Sequence, residues 1–258
     1  MIDALRLGLI ALFLSSIAGG CGTDPAAPVR HPALAALPRL GVWAWERPEE
    51  FLFSVPQPFF VAYVEHQIWL TGAEVQHRPR LQRLAVRNVP LVPVIHVEPS
   101  GFSPPALNDA QAEAIVRWTV AAGRASPSKV VQLDFEARKS QREFYRRIVH
   151  EIRRLLPKDV ALSVTALASW CVGDDWLAGV PADEVVPMLF RMGTDGPQIA
   201  RIWQQDRQLP RVQCRSSAAF STSEMLPAPR SVETRIYLFS PRPWTARTLE
   251  DALRKLAL

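Results

Sequence analysis

Short apolar runs alternate with longer amphipathic segments along the chain from Gly41 onward. Runs of roughly four to eight β-branched and aromatic residues are typical of buried strands, whereas apolar residues spaced three or four apart indicate helices. The pattern predicts these strands: Gly41–Arg47, Pro58–Leu70 (continuing into a hairpin through Thr71-Gly72), Leu91–Glu98, Val130–Ala137, Ala161–Cys171, Glu184–Arg191, Arg211–Ser217 and Thr234–Ser240. It predicts these helices: Arg80–Arg87, Asn108–Ala125, Gln141–Leu156, Gly196–Gln205 and Thr245–Leu258.

Strands and helices that alternate in this way are typical of an α/β fold with parallel strands. Eight strand segments without a glycine-rich dinucleotide loop predict a (β/α)8, TIM-barrel-like single domain over residues 40–258. A length of 258 residues fits one such domain. An open α/β sheet is the alternative, because Pro187 removes a backbone donor from the sixth strand.

The first twenty residues have the layout of an export signal. Arg6 precedes an apolar run over residues 7–18 that is short for a membrane span, and small residues follow it. Cys21 comes directly after them, so the stretch resembles the lipobox of bacterial lipoproteins. That resemblance implies a lipidated Cys21 and an exported protein anchored in the bacterial cell envelope; simple secretion and a buried N-terminal helix are the alternatives. The proline- and alanine-rich composition of residues 21–39 predicts a flexible tether.

The basic residues are scattered along the chain, which carries a formal net charge of +5. Because no dense basic stripe with interleaved aromatic residues occurs, nucleic acid is a weak candidate partner. The sequence has no Cys/His cluster with metal-ligand spacing. We therefore expect no metal or other cofactor, and we expect a monomer.

Two cysteines remain if Cys21 is acylated, and export would place them in an oxidising compartment. Cys171 and Cys214 fall on the predicted fifth and seventh strands. Two strand spacings come to about 9–10 Å, beyond the roughly 7 Å limit for bridged Cα atoms. We therefore expect separate thiols, since a disulfide would require that both cysteines lie in loops.

The most informative stretch is the fourth predicted strand, which begins apolar and ends with two carboxylates. Residues two apart share a face of a strand, so Gln132, Asp134 and Glu136 are expected to point the same way. Burying unpaired carboxylates is costly. An acid pair for catalysis or ligand binding explains the pattern, and a salt bridge to Arg138 or Arg191 is the alternative.

Other polar and aromatic residues stand at the predicted strand ends, where barrels carry their chemistry. We expect Asp134 and Glu136 to be catalytic. Residues expected to bind the substrate are Glu46, His96, Glu98, Trp170, Arg191, Tyr237 and Trp244. Each also has a structural interpretation, as a surface residue, a core residue or an ion-pair partner.

Two resemblances accompany these motifs. The segments Val131–Glu136, Ser163–Ala168 and Val186–Gly193 resemble a family of exported bacterial proteins of unknown function with a barrel-like domain. Asp134-Phe135-Glu136 is similar to the fourth-strand ending of chitinase-type (family eighteen) glycosidases, in which the Glu is the acid. Val130, Val131 and Gln132 replace the earlier part of that motif, so the resemblance implies an acid at Glu136 but not a substrate-assisted mechanism.

Acids, tyrosine and tryptophan at a barrel mouth are suited to the cleavage of glycosidic bonds. The first hypothesis is a cell-envelope lipoprotein, similar to glycoside hydrolases, that acts on glycans, with Glu136 as acid and Asp134 raising its pKa. The alternatives are a saccharide-binding lipoprotein without catalytic activity and a structural envelope protein. A Gly-x-Ser-x-Gly nucleophile elbow and a phosphate-binding loop are both absent from the sequence.

Overall fold

Eight parallel strands close into a barrel in the computed structural model, which describes residues 30–173 and 175–257. The strands, in chain order, are β1 (Leu40–Ala44), β2 (Glu49–Phe51), β3 (Phe59–Thr71), β4 (Glu74–Pro79), β5 (Leu84–Val86), β6 (Leu91–Pro99), β7 (Val130–Phe135), β8 (Ala161–Leu167), β9 (Glu184–Met188), β10 (Ser217–Ser221) and β11 (Arg235–Phe239). The barrel order is β1-β11-β10-β9-β8-β7-β6-β3, and β1 pairs with β3 to close it. The predicted TIM-barrel-like domain is confirmed.

Helices cover the outside of the barrel. They are α1 (Pro32–Ala35), α2 (Asp109–Ala125), α3 (Arg142–Leu155), α4 (Gly196–Asp206) and α5 (Ala246–Lys255). The Asn108 side chain caps α2 by accepting from the Gln111 amide at 2.9 Å, and Thr245 caps α5 in the same way. Helix α3 buries Phe144, Ile148 and Ile152, as its 3.6-residue spacing predicts. Within the described ranges, no helix is both long and apolar enough to cross a membrane.

Pro187 is accommodated because β9 pairs unequally with its two neighbours. On the β8 side the pairing runs from Ser163↔Glu184 to Leu167↔Met188. On the β10 side it is reduced to the single pair Ala219↔Met188. The proline therefore removes a donor where the ladder is already short.

The segment predicted as a basic helix is a strand instead. Residues Leu84–Val86 form β5, which pairs in parallel with β2 in a separate two-stranded sheet. The Glu49 amide donates to the Arg83 carbonyl at 3.0 Å at the start of this pairing. The prediction of a helix over Arg80–Arg87 is wrong because tertiary pairing decides the conformation of so short a segment.

The seventh barrel strand begins six residues later than predicted. Arg211–Ser217 was expected to be extended, but Val212–Cys214 is a 3₁₀ turn and the strand is Ser217–Ser221. This turn lets Cys214 form a disulfide with Cys171, at a Cα–Cα distance of 6.0 Å. Cys171 lies in the 3₁₀ turn Ala168–Cys171, after β8 rather than within it. The expectation of two separate thiols is therefore wrong, because both cysteines lie in turns.

The described part of the predicted tether is folded. Helix α1 seals the N-terminal end of the barrel, where Leu34 is fully buried and Leu37 nearly so, packed against interior residues of the barrel. The Leu34 carbonyl accepts from Arg235 at 2.5 Å. Residues 30–39 thus belong to the barrel domain, and the rest of the tether, the signal segment and Cys21 lie outside the described residues.

A buried polar network fills the barrel interior above this seal. Glu184 accepts from Ser217 at 2.6 Å, from Ser163 at 2.8 Å and from the Tyr237 hydroxyl at 2.7 Å. Arg235, also fully buried, lies 3.6 Å from the same carboxylate. Hydrogen bonds of this kind offset the cost of burying the charges, so the network belongs to the packed core.

Candidate active site

The carboxylate of Asp134 is buried near the C-terminal end of β7, between its two neighbouring strands. His96 on β6 lies directly opposite Asp134, and its Nδ1 is 2.7 Å from Asp134 Oδ2. Thr165 on β8 donates its hydroxyl to Asp134 Oδ1 at 2.5 Å. Both oxygens therefore have partners, and the charged partner is a histidine. The alternative of a salt bridge from Asp134 to Arg138 or Arg191 is wrong.

Glu136 lies two residues further along, just past the end of β7, and is exposed at the barrel mouth. The turn that follows is set by a hydrogen bond from the Ala137 amide to the Phe135 carbonyl at 2.7 Å. Partial desolvation of the Glu136 carboxyl raises its pKa, and the nearby carboxylates of Asp134 and Glu98 raise it further. His96 and Arg191 oppose this effect but do not cancel it. The arrangement favours a carboxyl group that keeps its proton.

His96 connects the buried acid to the mouth. Burial lowers the pKa of His96, but the hydrogen bond to Asp134 and the charges of Asp134, Glu136 and Glu98 outweigh burial and raise it overall. Nδ1 faces Asp134, and Nε2 has no hydrogen-bond partner among residues 30–173 and 175–257. The Trp45 ring lies edge-on to the imidazole, with centroids 5.8 Å apart. An imidazole held in this way can donate from Nε2 to a bound molecule.

Aromatic rings line the mouth next to His96. Trp45, just after β1, contacts Trp43 below it at a centroid distance of 4.5 Å. Phe239 at the end of β11 stacks on Trp43 at 4.7 Å and contacts Phe190 at 4.9 Å. The Trp43 indole donates to Gln132 at 2.8 Å, which fixes its orientation. Trp45 is half-buried and presents an aromatic surface beside the acid pair.

A β-bulge in β3, the strand that pairs with β1, shapes the adjacent part of the rim. The register with β6 shifts between Val64 and His66. Gln67 and Trp69, which follow the bulge, therefore lie on the same face of the sheet as Val64, which precedes it. Gln67 pairs with His96, and Trp69 pairs with Glu98. The Trp69 indole donates to Glu98 at 3.1 Å.

The hairpin strand β4 supports this rim. Arg78 donates to Gln67 at 2.8 Å, and its guanidinium lies 5.2 Å from the centre of the Trp69 ring. The side chains that project from the barrel mouth beyond His96 are therefore those of Gln67, Trp69 and Glu98. The sequence analysis did not include Trp69 or Trp45 among the candidate site residues. The bulge changes which residues of β3 face inward, and Trp45 lies past the end of β1.

Glu46, predicted to bind the substrate, has a structural environment instead. One carboxylate oxygen accepts from the amides of Leu81 at 2.9 Å and Gln82 at 3.2 Å. The other lies 3.6 Å from Arg80, whose guanidinium donates to four backbone carbonyls, those of Trp45, Arg47, Val64 and Gln82. Glu46 thus holds the loop after β1 in place.

Three aromatic residues predicted to bind the substrate are buried. Trp170 stacks on Trp176 at 4.2 Å, under the turn after β8. Tyr237 lies inside the barrel, where burial and the charge of Glu184 raise its pKa well above the ordinary value. Trp244 donates its indole N–H to the Trp43 carbonyl at 2.9 Å. Each packs in the core, so a substrate-binding role would require rearrangement.

Arg191 lies at the mouth, near the residues expected to be catalytic. Its charge lowers the pKa of Glu136, and its backbone amide donates to Glu224 Oε2 at 2.8 Å, whereas its side chain has no hydrogen-bond partner among the described residues. Its backbone adopts the left-handed conformation, with φ of 49°. The structure therefore brings together Asp134, Glu136, His96 and Glu98, with Arg191 nearby.

Neither of two surface cavities coincides with this group. Their volumes are about 330 Å³ and 490 Å³, and both are lined by Thr222, Ser223 and Lys255. Over the described ranges, no group of three or more His, Cys, Asp or Glu side chains is arranged to hold a metal ion. The candidate site is thus defined by the carboxyl pair and its partners.

Solved structures similar to this chain include chitinases. A Streptomyces coelicolor protein assigned as a chitinase A has a TM-score of 0.49 and 11% identity, over 84% of this chain and 96% of that one. The chitinase RmChi1 from Rhizomucor miehei has a TM-score of 0.41 and 10% identity, over 73% and 68% of the two chains. The spore cortex-lytic enzyme SleL from Bacillus cereus has a TM-score of 0.42 and 14% identity, over 71% and 51%.

No protein-family model matches the sequence, and none of the curated proteins does. Chitinase-type barrels are therefore among the structures that the chain resembles, in line with its Asp134-Phe135-Glu136 ending. At these identities the likeness concerns the fold alone, and the closed strand order shows that fold independently.

Proposed function

We propose that this protein cleaves glycosidic bonds in glycans of the bacterial cell envelope, with Glu136 as the proton donor. One observation carries the proposal. A buried carboxylate, Asp134, is fixed by two hydrogen bonds and lies two residues before a mouth-facing carboxyl, Glu136, whose pKa is raised. A carboxyl group with a raised pKa at the mouth, beside a second carboxylate, is suited to acid-catalysed glycoside cleavage.

The step assigned to Glu136 is protonation of the glycosidic oxygen. As the bond between this oxygen and the anomeric carbon breaks, the leaving sugar departs with a hydroxyl group. Water then supplies a hydroxyl to the anomeric carbon, and its proton restores the carboxyl group of Glu136. Asp134 is too deeply buried to touch the sugar. It acts through its charge, which favours the protonated form of Glu136 and a positive charge on the sugar.

The substrate would lie along the part of the mouth that carries Trp45, His96 and Trp69. Trp45 and Trp69 offer ring surfaces for sugar faces, and His96 Nε2 and Gln67 offer polar contacts to hydroxyls. Aromatic rings bury apolar sugar faces, and polar groups beside them fix the orientation.

Saccharide binding without catalysis is the second candidate function. The rim formed by Trp69 and Glu98 favours it, because an indole fixed by a carboxylate and an arginine is preorganised for stacking and needs no acid catalyst. A binding protein would keep its affinity for the glycan when Glu136 is neutralised.

The chain from Gly22 onward, assayed on a panel of β-linked and α-linked envelope polysaccharides, tests both functions. Glu136→Gln is expected to reduce turnover by about 10³-fold or more, since general acid catalysis contributes on the order of 10²–10⁴. The matched control is Glu113→Gln, which changes an exposed carboxyl on α2. Turnover that survives in Glu136→Gln would contradict the assignment, and glycan binding by both variants without turnover would establish the second function.

The envelope location rests on Cys21. We propose that Cys21 carries the lipid, so expression of the full chain in a bacterium fed a labelled fatty acid is expected to label the protein. A Cys21→Ala variant is expected to lose the label. Label on that variant, or none on the parent chain, would contradict the anchor.

A further inference from the structure

The chain enters the fold at the end of the barrel opposite the mouth. Arg30 donates to the carbonyls of Ser216 and Glu233, both at 2.9 Å, and His31 Nε2 lies 3.0 Å from the Lys158 carbonyl. These carbonyls belong to segments that immediately precede β8, β10 and β11. The first described residues therefore lie on the N-terminal face of the barrel.

The same face is basic. Helices that follow parallel strands run back along the barrel, so α2 and α3 end on this face, and the connections to β7 and β8 lie beside them. These segments carry exposed bases: Arg124, Lys129, Arg154 and Lys158. Helix dipoles favour cations at these ends, which also makes the arrangement stable.

Acidic residues neutralise only part of this charge. Arg154 pairs with Glu151 at 2.5 Å, and Lys129 lies 3.7 Å from Asp159. Within the described part of the chain, Arg124 and Lys158 form no ion pair. The face therefore keeps an excess of positive charge.

We propose that this basic face docks on an anionic phospholipid surface, with the mouth directed away from the membrane. This deepens the proposed function, on which it rests for the exported location. Only residues 22–29 separate Cys21 from Arg30. Nine Cα steps span at most about 30 Å, so an anchor at Cys21 would hold the face close to the headgroups.

In the docked orientation, the distance of the mouth from the membrane decides which substrates the site can reach. The barrel strands are mostly five to seven residues long, so the mouth lies roughly 20 Å or more from the basic face. Electrostatic attraction to anionic lipid decays over about 10 Å, so it acts on the basic face and not on the mouth. The site then reaches a polymer spaced away from the membrane, not lipid headgroups.

Vesicle co-sedimentation tests the proposal with the chain from Gly22 onward, which keeps every helix and strand described above. Vesicles of phosphatidylcholine with 30% phosphatidylglycerol are compared with phosphatidylcholine alone, at low salt. A triple Arg124→Gln, Lys129→Gln, Lys158→Gln variant is expected to bind anionic vesicles about 100-fold more weakly, at roughly fivefold per charge. Its matched control, Lys139→Gln, Arg147→Gln, Arg242→Gln, removes the same charge elsewhere on the surface.

Equal weakening of both triple variants would overturn the proposal, as would equal binding of the parent chain to the two vesicle types. Binding that persists unchanged in 0.5 M salt would also contradict it. Heparin binding without vesicle binding would assign the face to a soluble polyanion instead. Turnover of a soluble glycan is measured separately and is expected to be unchanged in the basic-face variant, so failure of the proposed function and failure of docking are distinguishable.

Discussion

His96 and Asp134 form the residue pair on which the site depends. Asp134 has a hydrogen bond to each oxygen, so replacing either partner leaves a buried acceptor unsatisfied. The pair also places a titratable imidazole between a carboxylate and the mouth. Its protonation is therefore linked to the stability of the barrel.

The stability contributed by His96 is expected to depend on pH. The folded-state pKa is raised above the ordinary 6.5, so the stabilisation is fully present below about 6.5 and is lost as the pH rises through the folded value. Thermal unfolding of the parent chain and His96→Gln from pH 5 to 9 measures this effect. The difference in Tm is expected to be largest at acidic pH and to shrink at alkaline pH. A difference that grows with pH would show that the sign is wrong.

For single residues, the sequence predicts which face of a strand a side chain lies on better than it predicts the hydrogen-bond partner of that side chain. The two-residue period is sufficient to place Asp134, Glu136 and His96 on inward-facing positions. The identity of the partner of Asp134 depends on the register between β6 and β7, which pairs His96 with it. Register is fixed by the closed barrel and not by either strand alone, so the alternative of an ion pair named an arginine where a histidine is found.

The β3–β4 hairpin is the element that sets the shape of the mouth. Its bulge changes the facing of every later residue of β3, so Trp69 faces the mouth and His66 packs on Trp118 of α2. A bulge leaves no clear signal in a sequence that alternates imperfectly. This explains why the strand was predicted while its mouth-facing tryptophan was missed.

Trp69→Ala is expected to weaken glycan binding at least tenfold while leaving the fold intact. Trp69 is only half-buried and contacts Arg78 and Glu98 at the rim, so its loss removes a stacking surface without opening a core cavity. Isothermal titration against an oligosaccharide bound by the parent chain measures the effect. Val232→Ala, an exposed residue at the opposite end of the barrel, is the control. Equal affinities of Trp69→Ala and the parent chain would remove the rim from the binding site.

Helices with long apolar stripes were predicted within a few residues, because α2 and α3 bury those stripes against the barrel. The seventh strand was misplaced because four of the five residues of Ser217–Ser221 are serine or alanine, which carry little strand propensity. Packing space, which the sequence does not show, decided both its position and the turn that precedes it.

The whole molecule is held together by devices that span distant parts of the chain. Residues 30–39 seal one end of the barrel, and the Cys171–Cys214 disulfide joins the segment after β8 to the segment before β10. Neither was predicted, because both depend on contacts between segments far apart in sequence.

Removing the disulfide is expected to destabilise the barrel. The bridged cysteines are 43 residues apart, and constraining a loop of that length in the unfolded chain contributes about 4 kcal/mol. Denaturant unfolding of a Cys171→Ser, Cys214→Ser variant measures the loss of free energy of unfolding. Addition of a reductant to the parent chain should produce a comparable loss. A change below about 1 kcal/mol in both would contradict a stabilising disulfide.

The central claim is that the pKa of Glu136 is raised by partial desolvation at the mouth and by the neighbouring carboxylate of Asp134. NMR titration of the Glu136 side-chain carbonyl carbon, in the parent chain and in Asp134→Asn, tests it most directly. The pKa of Glu136 in the parent chain is expected to lie above the ordinary 4.5, and it is expected to fall in Asp134→Asn. A parent-chain pKa at or below 4.5, or no change on removal of the Asp134 charge, would contradict the account.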